Sequence, residues 1–310
     1  IRDWMPHAVV GQLRLPGCTV TTGLPDLTAA QAAQQGARAM LLGVAPVGGA
    51  ISPHWVRALL AALEAGLDLI SGLHTRLGSI PEVKAAAERT GRKLFDVRHT
   101  DRVFEPGTGI KRPGKRLLTV GTDCALGKKY TALAIARELQ RRGHKATFRA
   151  TGQTGIMISG AGLAVDAVVA DFISGAAEWL SPANDADHWD VIEGQGSLFH
   201  PAYAGVTLGL LHGSQPDAIV LCHDPSRRTV VGCPGYPIPE LGDAVDLYLS
   251  NGRLTNRAIR CVGISLNSSK LDEDSRARMV REISRRFNLP VFDPIRDGAS
   301  EVVDVMERVF

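Results

Sequence analysis

The sequence predicts an α/β protein of two domains, each built as a parallel sheet flanked by helices. Three observations carry this. Short aliphatic or β-branched runs alternate with stretches of helical period along the chain, the rhythm of repeated βαβ units. At 310 residues the chain exceeds one ordinary core of roughly 100 to 200 residues. The rhythm breaks once, over 98–115, where Pro106, Pro113, Gly107, Gly109 and Gly114 stand among mixed charges, which reads as a linker. The expected division is a small α/β domain over 1–105 and a larger, doubly wound domain over 106–310.

In the first domain strands are expected at 39–44, 67–70 and 93–97, separated by helices over 27–37, 53–65 and 81–90. The chain starts at Ile1, and its first strand-like piece, 8–10, is short; a processed or truncated N-terminus is expected. The second domain opens with a strand at 116–120. The helix after it, from about Lys128, sets Ala132, Ile135, Ala136 and Leu139 on one face. Further strands are expected at 146–149, 167–170, 190–192, 218–222, 245–249 and 261–266, and closing helices over 273–287 and 299–309. In such a sheet, ligands belong at the carboxyl ends of the strands.

Composition excludes several classes. Hydrophobic residues make up 45% and charged residues 22% of the chain, and mean hydropathy is +0.02, so real cores can be buried and disorder is excluded. The net charge of +3, with no run of five like charges, speaks against a nucleic-acid-coating protein. Apolar runs such as 39–44 and 218–222 fall far short of the roughly 20 residues of a membrane span, and the start of the chain forms no signal-peptide core. A cytoplasmic protein without membrane partner is expected. Its five cysteines, Cys18, Cys124, Cys222, Cys233 and Cys261, form no C-x-x-C pair and read as reduced thiols rather than disulfides or a zinc site.

The strongest chemical signal is GTDCALGKK at 121–129, between the strand at 116–120 and the amphipathic helix. A glycine-bounded loop there turns backbone N–H groups inward, and the helix N-terminus with Lys128 favours a diphosphate. Gly121, Thr122, Asp123, Cys124, Ala125, Gly127, Lys128 and Lys129 are therefore candidate binding residues. The loop departs from the common pattern twice: five residues separate the glycines, and Lys129 replaces the Ser or Thr that normally ligates magnesium. Diphosphate binding without a metal gains a cation from that exchange. Cys124, at a helix N-terminus, is expected to have a lowered pKa, which would suit a nucleophile; a small loop filler is the blander role.

DVIEGQGS at 190–197 ends a strand in an acid and a Gly-x-Gly turn, delivering the Glu193 carboxylate beside bound phosphates. Glu193 is the leading acid/base residue, with Asp123 and Lys128 as further catalytic candidates and a turn-capping role as the alternative. RATGQTG at 149–155 offers Arg149, Thr151 and Gln153 to a carboxylate or phosphate. Asp171, expected to end the strand at 167–170, would position a substrate ammonium group, complete a metal site with Glu193 if the chemistry needed magnesium, or cap a helix. The segment HDPSRR at 223–228 and the proline-rich loop over 232–239 suggest a substrate lid with Arg227 and Arg228, or a solvated turn. Asn267, just past the strand at 261–266, stands where a base edge is often read. In the first domain GVAPVGG at 43–49, Gly72-Leu73-His74 and the segment 96–99 with Arg98 fall at strand ends, where they would line one cleft.

GTDCALGKK and VIEGQGS resemble the phosphate loop and acidic strand end of dethiobiotin synthetase and its P-loop relatives. The joint occurrence of GVAPVGG, SGLHTRL, GTDCALGKK, RATGQTGI, VVADFISGAAE, EGQGSL and LNSSK resembles one family more closely, long described only as of unknown function, whose members include D-glutamate N-acetyltransferases. The match runs from about Gly23 to Met306. The resemblance implies a Rossmann-like N-terminal domain and a P-loop NTPase-like C-terminal domain. It implies transfer of the acetyl group of acetyl-CoA to the amine of D-glutamate in D-amino-acid catabolism, with no resident metal. D-Glutamate carries two carboxylates, so one or two of Arg149, Arg227, Arg228 and Arg98 are expected near it. A homo-oligomer is the base-rate expectation.

Two alternatives belong to other classes. One is a Mg-ATP-dependent ligase or kinase of the dethiobiotin synthetase type, with Asp171 and Glu193 on magnesium; Lys129 counts against it. The other is a nucleotide-sensing protein of the partition-ATPase kind, which the near-neutral charge and second domain disfavour.

Overall fold

The computed structural model describes every residue except Val47, so the GVAPVGG segment lies partly outside the described residues. The chain forms two compact units, one of Ile1–Asp101 with Ile156–Gly160, the other of Arg102–Gly155 with Ala161–Phe310.

The first unit has a three-stranded parallel sheet in the order β1 (Ala39–Leu41), β2 (Asp68–Ser71), β3 (Leu94–Asp96). Helices α1 (Ala29–Gln34), α2 (Val56–Glu64) and α3 (Pro81–Thr90) accompany it. Thr28 and Gln31 close a capping box on α1, satisfying backbone N–H groups that the first turn leaves open. Leu59, Leu63, Leu69, Leu77 and Val83 form the buried centre. Residues 8–10 are no strand; a 3-10 turn covers Pro6–Ala8.

The second unit is a six-stranded, wholly parallel sheet. Its elements in chain order are β4 (Lys115–Gly121), α4 (Lys128–Arg141), β5 (Ala146–Arg149), α5 (Gln153–Ser159, of which the part from Ile156 onward belongs to the first unit), α6 (Ile173–Leu180), β6 (Trp189–Ile192), α7 (Ala204–Ser214), β7 (Ala218–His223), the two-stranded hairpin β8 (Thr229–Val230) and β9 (Cys233–Pro237), α8 (Leu241–Gly252), β10 (Arg260–Leu266), α9 (Glu273–Phe287), β11 (Val291–Phe292) and α10 (Ser300–Val309). The strand order is β11-β10-β7-β4-β6-β5. The chain leaves central β4 for β5 and β6 on one side, then crosses to β7, β10 and β11 on the other. That reversal opens a crevice at the carboxyl ends around β4, where the glycine loop begins. Among the described residues no helix is long and apolar enough to cross a membrane.

Two expected strands are corrected. Residues 167–170 lie among 3-10 turns over Val165–Ala167 and Ala170–Phe172, so Asp171 ends no strand. Residues 245–249 fall inside α8, whose buried Leu241, Ala244, Val245, Tyr248 and Gly252 follow the helical period. Apolar runs of four or five residues fit either element, and only their neighbours decide. Helix α7 went unforeseen because of its three glycines. A Cβ on Gly213 would stand 2.1 Å from the Ser174 carbonyl oxygen, so glycine is what lets α7 approach α6.

Candidate active site

The phosphate loop is tied to the rest of its unit on every side. Tyr248 Oη and Ser197 Oγ each donate to the Gly121 carbonyl at 2.8 Å, and Thr122 N donates to the Cys222 carbonyl at 3.1 Å. Lys128 Nζ donates to the Asp123 carbonyl at 2.8 Å, and burial pushes its pKa down. Thr122 Oγ1 and His223 Nδ1 pair at 3.0 Å; burial lowers the pKa of this ring too.

Asp123 is fully buried and its carboxylate is spent. Oδ1 accepts from Cys124 N at 2.7 Å; Oδ2 accepts from Arg227 Nη1 at 2.7 Å and Val231 N at 2.9 Å. Arg227 also donates to the Cys124 and Ala125 carbonyls at 2.7 and 2.8 Å. The expected catalytic aspartate and substrate-binding arginine are thus each other's partners, and with Val231 N they fasten the segments on both sides of β8 to the loop.

Glu193 follows β6 and is 4% exposed. Its Oε2 accepts from Thr151 N at 3.0 Å and Gly152 N at 3.2 Å, while Thr151 Oγ1 donates to the Glu193 carbonyl at 2.6 Å. The carboxylate packs close to Gly155, where a Cβ would meet Oε2 at 2.3 Å. Burial outweighs those N–H bonds and the charges of Lys129 and Lys128, raising its pKa to about 7. A carboxyl poised there exchanges protons near neutrality, as a general base must.

Other expected residues are dispersed. Arg149 Nε donates to the buried Asp190 at 2.7 Å, which leaves it bound within the sheet. Arg98, in the first unit, donates to the Gly72 carbonyl at 2.9 Å. Asp171 is exposed on its 3-10 turn, Gln153 is half-buried at the start of α5, and Arg228 is exposed before β8. Asn267 N donates to the His223 carbonyl at 2.8 Å and its side chain accepts from Ser269 N at 3.3 Å, a turn after β10. The expected low pKa of Cys124 is corrected: burial drives this thiol up, and the Lys128 charge does not compensate. Sequence reasoning missed Tyr248 as a site residue and placed His223 only in a candidate lid or solvated turn, not against the loop. His223 ends a strand beside the loop and was legible by position; Tyr248 lay in the helix read as a strand.

The residues present do not fit the magnesium that phosphate loops commonly carry. Lys129 brings an ammonium where a ligand hydroxyl stands, and one oxygen of Glu193 already accepts two N–H bonds. Among the described residues, Asp123, Cys124 and His200 form the cluster with metal-like spacing. It fails too, because both Asp123 oxygens are taken and His200 bonds Val231 O and Ala202 N at 3.1 Å each.

Comparison with known proteins identifies the lineage. A domain of unknown function described as the DUF1611_N Rossmann-like domain matches residues 13–100, and one described as the DUF1611_C P-loop domain matches 105–303. The chain belongs to the DUF1611 family. A curated relative from Tritonibacter scottomollicae, named D-glutamate N-acetyltransferase, is 50% identical over all of this chain and 93% of its own length. Another of that name, from a Pseudoalteromonas species, is 45% identical over 98% of this chain and 91% of its own. The crystal structure of a DUF1611 family protein from Anabaena variabilis is 35% identical, covering 91% of this chain and 83% of that one at a TM-score of 0.83. The DUF1611 chain therefore has the expected α/β fold, with a Rossmann-like N-terminal domain and a P-loop C-terminal domain.

Proposed function

We propose that this chain is a D-glutamate N-acetyltransferase, transferring the acetyl group of acetyl-CoA to the amine of D-glutamate and releasing CoA. Two full-length relatives of that name support the activity. One structural observation supports its chemistry: Glu193, buried beside the phosphate loop, has a pKa of about 7.

D-Glutamate arrives as an ammonium, which cannot attack a thioester. Its first proton passes to the Glu193 carboxylate. The freed nitrogen lone pair forms a C–N bond at the acetyl carbonyl carbon, and backbone N–H groups of 195–197 receive the oxyanion, since Gly194 N is held by Thr119 Oγ1. The C–S bond then breaks, its electron pair leaves with sulfur, and the nitrogen's second proton passes to that thiolate, giving the neutral amide and CoA as its thiol.

The CoA diphosphate takes the loop of Gly121, Thr122, Cys124, Ala125, Gly127, Lys128 and Lys129, and Asn267 takes the adenine edge. Gln153 and Arg228 serve the acceptor, while Thr151, fully buried with N and Oγ1 on Glu193, holds that residue in place; among the described residues Arg228 is the arginine of the expected set that is exposed without a side-chain partner. Asp123 and Arg227 position the loop. For the diphosphate and Glu193 to serve one turnover, the pantetheine arm folds back over the 193–197 turn. The reaction belongs to D-amino-acid catabolism in the cytoplasm, and a domain boundary near 105 and a homo-oligomer complete the reading.

The test is CoA release from acetyl-CoA with D-glutamate, L-glutamate or no acceptor, with and without EDTA, beside S-acetylpantetheine, a donor lacking the diphosphate. Release dependent on D-glutamate and indifferent to chelator is expected, with Lys128→Ala raising KM for acetyl-CoA and leaving KM for S-acetylpantetheine unchanged. Magnesium-dependent ATP turnover without CoA release would overturn the reading.

A further inference from the structure

The second departure in the phosphate loop has a structural counterpart. In phosphate loops that carry magnesium, the hydroxyl after the lysine and an acid from a neighbouring strand end hold the ion between them. This chain keeps the acid and replaces the hydroxyl. Strands β4 and β6 are neighbours with Leu118 opposite Ile192, and Gly194 N donates to Thr119 Oγ1 at 2.9 Å. The residue between, Glu193, is thereby brought to the flank of the loop that begins two residues past Thr119. Lys129 is the second residue of α4.

The two lysines stand differently. Lys128 is committed to the Asp123 carbonyl. Lys129 is half-buried, and among the described residues no hydrogen bond or ion pair holds it; its ammonium lies 4.6 Å from the Tyr130 ring centre. Burial lowers its pKa, and the nearby Glu193 charge partly offsets that effect. A desolvated ammonium without a close carboxylate is costly until an anion completes it. An ammonium has no lone pair for a metal and repels one that approaches.

Resting on the reading of the loop as a diphosphate site, we propose that Lys129 is the built-in cation of that site. It stands where the divalent ion would bridge the bound diphosphate and Glu193. The loop then accepts diphosphates free of magnesium, such as that of CoA, and discriminates against magnesium nucleotides. Lys129 is a specificity residue for the donor.

The test is calorimetric titration of the full chain with CoA and ADP, each in EDTA and in magnesium. For the native protein, CoA affinity is expected to stay within about threefold between the two media, and ADP to bind more weakly with magnesium. Lys129→Thr is expected to lose about tenfold or more for CoA in EDTA and to reverse the magnesium effect on ADP, binding the magnesium form more tightly. Lys129→Arg retains the native pattern. Native CoA binding strengthened about tenfold by magnesium, or Lys129→Thr matching the native protein in EDTA, would overturn the proposal. Lys128→Ala separates the two levels: if CoA binding survives it unchanged, the loop is not the diphosphate site and the underlying reading falls. Thermal unfolding checks each variant, and Lys129→Gln replaces Lys129→Thr should the latter not fold.

Discussion

Glu193→Gln separates an ionisable carboxyl from an inert isostere at one buried point. The carboxyl ordinarily titrates at 4.5 and is raised to about 7 here, chiefly by burial. An acid with a raised folded pKa contributes no penalty below 4.5, where folded and unfolded chains are both protonated. The penalty grows from pH 4.5 to about 7, as the unfolded chain ionises first. Above that it is constant, and at about 1.4 kcal/mol per decade of acidity it amounts to about 3 kcal/mol. Glutamine still accepts from Thr151 N and Gly152 N but never ionises. The stability of Glu193→Gln relative to the native protein should therefore rise by about 3 kcal/mol between pH 4.5 and 8, whatever the fixed cost of the exchange. Urea unfolding of both proteins across that range measures it. The same variant should lose about a hundredfold or more in kcat, and the native kcat/KM should fall on the acidic side with a midpoint near 7. A stability difference flat within about 0.5 kcal/mol would show that Glu193 titrates normally, and the assignment of the base would go with it.

Three further outcomes follow from the same geometry. Gly155→Ala places a methyl 2.3 Å from Glu193 Oε2; kcat should fall about tenfold or more and the acidic limb should move, read from a pH–rate profile. Cys124→Ser should keep kcat within about threefold, since burial raises this thiol's pKa, and no acetylated enzyme should appear by mass spectrometry in the native protein. Arg227→Met leaves the fully buried Asp123 without its guanidinium. It should cost about 3 kcal/mol in urea unfolding and raise KM for acetyl-CoA; a cost below about 1 kcal/mol would mean the brace is dispensable.

Much of this was legible in the chain. The loop at 121–129 announces itself because its glycines and lysines are contiguous and bounded by a strand and a helix of different period. Glu193 was legible for the same reason, as the acid closing an apolar run. Short apolar segments were not: 167–170 and 245–249 satisfy strand and helix equally, and α7 hid behind glycines whose use appears only against α6.

The sequence by itself determined the alternation of strand and helix, the two-domain organisation, and the glycine loop with its unusual Lys129, because each is written in neighbouring residues. Only the tertiary structure decided which charges remain available. Strand order sets β7 and β6 on either side of β4. Arg227 thereby meets Asp123 across 104 positions, and Glu193 is brought onto the amides of Thr151 and Gly152, 42 and 41 positions away. Pairing and burial at such separations depend on how the sheet is assembled. Two acids alike in sequence, one strand apart, thus end as a saturated brace and a carboxyl poised near neutrality.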